Sequence, residues 1–180
     1  SDANGKVTYF RYDVLNRLTA VIRKEGDVLD VEDPSDAVTR YAYDAEGNCT
    51  AVTEPNGVTT TYAYDAASRP TTKTNGAGES MVAAYDAAGN IQSVLLPGGN
   101  LVGLTYDADD RLVAVADTLG PVAAHAYDAA GNRTSTSAGN GLTTTVAYDP
   151  LDRVVGVTDP AGETTHYAYD PAGNLVNVTD

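Results

Sequence analysis

The 180-residue chain has no tryptophan, one cysteine, one methionine, one phenylalanine, and 11 lysines and arginines against 25 acidic residues. With Cys49 alone no internal disulfide can form, and a nucleophilic thiol would need a neighbouring base that the sequence does not indicate. The formal charge of −14 and the scatter of the few cations argue against nucleic acid, whose phosphates are held by clustered Lys and Arg. The same balance disfavours an anionic membrane surface. No apolar run approaches the roughly 18 residues of a helical bilayer span. Leu, Ile, Val and Phe together number 35 of 180, a scarcity that with high net charge usually leaves a polypeptide disordered.

What is present is a register. The pair Tyr-Asp stands at 43, 64, 85, 106, 127, 148 and 169, each 21 residues after the last, with an eighth copy at Tyr12-Asp13. Disorder has no reason to keep such a phase, so the sequence is read as a repeat array stabilised by neighbour-on-neighbour stacking. Each unit carries two turn signals. The first is Tyr-Asp-x-x-Gly, running from Asp44 to Gly47, Asp86 to Gly89, Asp128 to Gly131 and Asp170 to Gly173. Asp65, Asp107 and Asp149 open the same turn without the glycine. An Asp side chain at this position accepts backbone N–H groups two and three residues on, and Pro at the next position presets φ for a type I turn. Gly at the fourth position accepts φ > 0 and sets a bulge, giving a hairpin. Asn16, Ser68, Asp110 and Asp152 stand where that Gly is missing.

The second turn reads Glu54-Pro55-Asn56-Gly57, Leu96-Pro97-Gly98-Gly99 and Asp159-Pro160-Ala161-Gly162. Between turns lie runs of about six residues rich in Val, Thr and Tyr, a strand length with no 3.6-residue periodicity. The fold expected is all-β: 21-residue β-hairpin repeats forming a long antiparallel meander of about sixteen strands. Twist of roughly 20–25° per strand should curl it into a spiral strip or shell segment. Tyr41, Tyr62 and Tyr167 share a face with the Tyr two residues later, and Ala42, Ala63 and Ala168 lie between them. One face is therefore aromatic and the other thin. Val52, Val94, Val115, Val157 and Val178 recur on the intervening strand and complete a Tyr–Val ladder.

Catalytic chemistry is not indicated. His125 occupies the column of Tyr41 and Tyr62, His166 lies one position off it, and neither has partners at metal-ligand or acid–base spacing. Cys49 sits in the column of Ile91, Leu112, Val154 and Leu175, a core position. Each turn offers one or two carboxylates, fewer than a calcium loop needs. The sequons at Asn48, Asn132 and Asn177 are of the kind chance produces in a sequence rich in Asn and Thr. No cofactor or metal is expected. The rings of Tyr41, Tyr62 and Tyr167 are candidates for stacking on glycan, although packing within the sheet accounts for them too.

Tyr106-Asp107 with Arg111-Leu112, and Tyr169-Asp170 with Gly173-Asn174-Leu175, together with the x-Pro-x-Gly turns, resemble the Rhs or YD-repeat family. The resemblance runs from Tyr9 to Asp180. It implies a β-strip spiralling into a hollow shell, of the sort that encloses a toxic domain in bacterial Rhs and insecticidal toxin-complex proteins. The same repeats occur in wall-associated proteins and the teneurins, where they look like adhesion scaffolds. The family's toxins close their shell with an Asp-Pro-x-Gly-Leu core and an autoproteolytic aspartate pair. Here Asp159-Pro160-Ala161-Gly162 is followed by Glu163 and keeps the 21-residue phase, so it is read as a plain turn.

The domain reading is a frayed end over residues 1–8, then an array over 9–180 with an insertion around 24–33, the whole being a fragment of a longer array. The function expected is a non-enzymatic structural segment of a secreted or cell-surface protein, bacterial by resemblance. Its partners would be the rest of the same array and an enclosed or attached effector domain. The alternatives are an adhesin strip that binds glycan and a fibre subunit that self-associates through its strand edges. The turn assignment has a direct test. Gly89→Val should lower stability by about 1–2 kcal/mol more than the neighbouring Ala88→Val. Equal melting temperatures for the two variants would remove the left-handed position from this turn.

Overall fold

The computed structural model describes residues 7–24 and 36–180, none of them helical. Their contacts divide into two units: the described residues up to Ala83 with Leu96–Gly98, and Ala84–Leu95 with Gly99–Asp180. The first holds β1 (Val7–Tyr12), β2 (Leu18–Lys24), β3 (Ala37–Tyr43), β4 (Cys49–Thr53), β5 (Thr59–Tyr64), β6 (Pro70–Thr74) and most of β7 (Ser80–Tyr85). The second holds β8 (Ile91–Leu95), β9 (Leu101–Tyr106), β10 (Leu112–Asp117), β11 (Gly120–Tyr127), β12 (Arg133–Ala138), β13 (Thr143–Tyr148), β14 (Val154–Thr158), β15 (Thr164–Tyr169) and β16 (Leu175–Thr179). Strand order in the sheet follows sequence order, and the pairs within each unit are antiparallel. The fold is an open antiparallel meander of hairpins.

One boundary differs from the sequence reading. Val7 and Thr8, assigned there to a frayed end, pair with Lys24 and Arg23 as the start of β1. They lack the motif, yet six extended residues opposite a seven-residue strand satisfy their backbone groups. The insertion around 24–33 falls, apart from Lys24, outside the described residues.

The register shows how each repeat is bent. Opposite β4, Ala42 pairs with Ala51 but Tyr43 pairs with Cys49, so one residue is skipped between them. The same irregularity falls between Ala63 and Tyr64, Ala126 and Tyr127, Ala147 and Tyr148, and Ala168 and Tyr169. Its cause lies in the turn that follows. Gly47 has φ 95°, and in the repeats without glycine Asn16, Ser68, Asp110 and Asp152 take φ of 58–61°. A type I turn closed by a left-handed residue produces this bulge.

Burial is shallow. Among the described residues only Ala20, Ile22, Lys24 and Gly156 are buried, and Ile22 is 2% exposed. Elsewhere Tyr41 and Tyr43 are half-buried with exposed Ala42 between them, and the pattern repeats at Tyr62 and Tyr64, Tyr167 and Tyr169. Tyr41 pairs with Val52 and Tyr167 with Val178, while Tyr62 faces Lys73. The thin face carries Ala and Thr, with hydroxyl pairs at Thr53–Thr59, Ser137–Thr143 and Thr158–Thr164, all 2.7–2.9 Å. Adjacent second turns touch closely. A Cβ on Gly139 would meet the Pro121 carbonyl, and one on Gly76 would meet the Val58 side chain.

Candidate functional site

The recurring Tyr, Asp, Arg and Asn side chains lie at the Tyr-Asp end of the hairpins. In each turn the backbone carbonyl of Asp accepts the N–H of the left-handed residue three positions on, as Asp44 does from Gly47 (3.3 Å) and Asp149 from Asp152 (3.0 Å). The carboxylate works differently from the two-and-three pattern of a simple Asp turn. Asp65 Oδ1 accepts from Ala67 N at 2.9 Å and Arg69 N at 3.0 Å, two and four residues on. Asp107 and Asp149 repeat this arrangement. The bulge is the reason: the left-handed residue turns its N–H to the backbone oxygen and leaves the carboxylate facing the fourth amide. Asp86, which also takes Gly89 N at 2.8 Å, is the exception.

The second carboxylate oxygen takes a side chain from that fourth residue. Arg17, Arg69, Arg111 and Arg153 donate through Nε to Asp13, Asp65, Asp107 and Asp149 at 2.7–2.8 Å. Asn48 and Asn174 donate through Nδ2 to Asp44 and Asp170 at 2.9 Å. These donors hold the turn carboxyls below the ordinary aspartate range. In Asp65, Asp107 and Asp149 the arginine side-chain bond is the largest cause, and in Asp44 and Asp170 the asparagine bond is. In Asp86 and Asp128 the backbone N–H of Asn90 and Asn132 leads.

The step to the next repeat is made by the tyrosine. Tyr64 Oη donates to the Cys49 carbonyl at 2.8 Å, Tyr127 to Leu112 at 3.0 Å and Tyr169 to Val154 at 2.9 Å. Tyr106 and Tyr148 make the same bond, 15 residues back, and Tyr43 makes it to Leu18 across the longer first interval. Each acceptor opens a returning strand. The pairs of β4 with β5 stop at Ala51–Thr61, and those of β14 with β15 at Gly156–His166. The Cys49 and Val154 carbonyls lie beyond that point, where the ladder no longer reaches them. The hydroxyl satisfies them, and burial raises the pKa of Tyr43 and Tyr64.

Arginine seals the same gap. Arg17 lies 4.9 Å from the Tyr43 ring centroid, Arg111 4.9 Å from Tyr127 and Arg153 4.7 Å from Tyr169. Each also donates through a terminal nitrogen to the backbone oxygen of the next turn aspartate: Asp44 (2.9 Å), Asp128 (3.2 Å) and Asp170 (3.4 Å). Such a stacked cation is worth about 0.5–1 kcal/mol at an exposed site. Sequence reasoning found the tyrosine column but missed the hydroxyl acceptor and the arginine's double role. The constant place of Arg five residues after Tyr in alternate repeats marked the residue but not the atoms it reaches.

The other expected positions have ordinary structural places. Gly57, Gly99 and Gly162 have φ of 83–91° and stand with Pro55, Pro97 and Pro160 in the second turns, as Gly89, Gly131 and Gly173 (φ 89–101°) stand in the first. His125 Nδ1 lies 3.2 Å from Thr136 Oγ1, and His166 faces Gly156. Cys49 Sγ lies 3.6 Å from the Ala51 carbonyl. Among the described residues no group of three His, Cys, Asp or Glu could hold a metal, and no helix is long and apolar enough to cross a membrane. A groove of about 570 Å³ between neighbouring second turns is lined by Asn56, Val58, Thr59, Thr61, Thr74 and Asn75, none of them titratable.

A run of hairpins laid side by side, each bonded to the next by its turn side chains, defines a β-hairpin repeat protein. Within that class the protein belongs to the RHS repeat family, whose RHS Repeat model matches residues 24–59, 43–80, 85–122, 106–144, 127–164 and 148–180. Its fold is similar to the crystal structure of TcdB2-TccC3-Cdc42, at 18% identity with a TM-score of 0.76. It is similar at the same identity to TcdB2-TccC3 without its hypervariable C-terminal region (TM-score 0.75). The Photorhabdus luminescens Tc holotoxin pore with a TccC3 mutation matches at 20% identity and a TM-score of 0.65. Each match covers 98% of this sequence and 10% of the other, so the protein spans a tenth of the length of these relatives. At such identities the likeness is one of fold. No curated protein matches the sequence.

Two outcomes follow from the geometry. Tyr127→Phe strands the Leu112 carbonyl and should cost about 0.5–1.5 kcal/mol, whereas Tyr12→Phe, at an exposed ring without a hydroxyl partner among the described residues, should leave the urea midpoint unchanged. Because the turn carboxyls titrate below their unfolded value, their contribution is present above that value and is lost as pH falls through the folded one. The melting temperature should therefore drop once pH falls below about 4, and Asp107→Asn should make the acid limb shallower in a circular-dichroism titration.

Proposed function

We propose that the protein is a non-enzymatic structural segment of a secreted or cell-surface RHS-repeat protein, forming part of a β-shell that encloses or presents an effector domain. The observation that carries this reading is where the polar groups go. Aspartate, arginine, asparagine and tyrosine, the types from which an active site would be assembled, are here consumed in turns and in repeat-to-repeat bonds. The array therefore spends its chemistry on being long and self-consistent, which suits a wall. Its membership of the RHS repeat family and its likeness to the TcdB2-TccC3 fold support the same reading. Partners on this account are further repeats of the array and the effector.

Limited proteolysis of the full-length protein that carries the array tests it. The effector polypeptide should resist protease while the array is native, and become cleavable at a protease dose unchanged when Tyr127→Phe and Arg111→Ala weaken the junctions. An effector digested equally in both would overturn the shell. Saturable glycan binding by the native array, lost in Tyr62→Ala with melting unchanged, would replace it with the adhesin reading.

A further inference from the structure

The turns come in two kinds that alternate along the whole sequence. Turns opening at Asp13, Asp65, Asp107 and Asp149 carry Arg as their fifth residue, and those at Asp44, Asp86, Asp128 and Asp170 carry Asn. The left-handed residue alternates in step. It is Gly in every Asn turn, and Asn16, Ser68, Asp110 or Asp152 in every Arg turn.

Within its own turn the choice is immaterial, since either side chain donates to the Asp Oδ2. Across the junction it is not. Arg is long enough to reach a backbone oxygen of the next repeat, so that repeat needs no side chain at its left-handed position and can use glycine. Asn is shorter and, at two of its three junctions, reaches a side chain instead. Asn90 Nδ2 donates to Asp110 Oδ1 at 2.8 Å, and Asn132 Nδ2 to Asp152 Oδ1 at 2.6 Å. The acceptor is the strained left-handed residue itself, with φ of 59° and 60°.

We propose that this alternation is a pairing rule between neighbouring hairpins. An Asn turn accepts beside it only a hairpin that presents a side-chain oxygen at its left-handed position, and an Arg turn accepts one with glycine there. The cooperative unit of the array is then two repeats, twice 21 residues. Asp110 and Asp152 persist at left-handed positions because the preceding asparagine holds them, which offsets their backbone strain. A hairpin slipped by one repeat would set every asparagine opposite a glycine, while a slip by two would restore the bonds. The edge of an Asn turn thus selects an Arg-type hairpin as its partner, a device against misregistered pairing in an array of near-identical repeats. The rule concerns the junctions of the array and stands whether or not that array encloses anything.

A double-mutant cycle in the intact protein tests it. Asn48 donates within its own turn to Asp44, and Ser68 makes no bond to it, so Ser68→Gly should only relieve strain and raise the melting temperature by about 2–4 °C. Asp152→Gly relieves less strain, because Asp tolerates a left-handed φ better than Ser, and it also loses the asparagine, so it should melt at least about 2 °C below Ser68→Gly. In an Asn132→Ala background this gap should narrow by at least about 1 °C. Equal melting of the two glycine variants would overturn the rule. So would a difference that persists undiminished in the Asn132→Ala background.

Discussion

The tyrosine hydroxyl that reaches the first carbonyl of the preceding repeat's returning strand is the contact on which the array depends, because among the described residues almost no buried core stands behind it. At the Tyr-Asp end the ladder between repeats stops short, as it does after Ala51–Thr61 and Gly156–His166. A strand pair opened there would admit water to the carbonyls that the tyrosine hydroxyl reaches. The ring fills the opening and the hydroxyl satisfies the acceptor, so one residue type does both jobs. The bulge before each turn belongs to the same device, since it shifts the register by one residue at the tyrosine itself.

Charge is organised around this seam. The turn aspartates are held ionised by backbone amides and by Arg or Asn, and the arginines lie over tyrosine rings of the following repeat. A formal charge of −14 would be a burden on a compact domain. In a single open sheet with exposed Ala and Thr on its thin face the charges sit along turn rows, in reach of solvent and of their partners. This is also why so few Leu, Ile, Val and Phe suffice. Stability is summed over junctions, and each junction needs a tyrosine and a closed turn more than a volume of hydrocarbon.

Membership of the RHS repeat family agrees with that economy. A scaffold assembled by repetition can lengthen without redesigning a core. His125 and His166 fit into it as ladder residues: one faces a threonine and the other a glycine across the strands.

The period of 21 residues, the antiparallel hairpins and the aromatic and thin faces were legible in the sequence, because turn chemistry and strand alternation are local. Asn16, Ser68, Asp110 and Asp152 take φ near +60° at the points where the phase lacks a glycine. What lay beyond the sequence was every partner chosen across a junction. No spacing announces that Tyr64 will bond to Cys49, 15 residues back, or that Arg111 will touch both its own Asp107 and the Asp128 carbonyl. Nor did the motif show that Val7 and Thr8 join β1, or that Ala20, Ile22 and Lys24 would be buried. The places where the backbone reverses were written into the residues themselves, because a residue's φ preference travels with it. Which atoms meet once two turns lie side by side was settled by folding, since it depends on register and on the reach of each side chain.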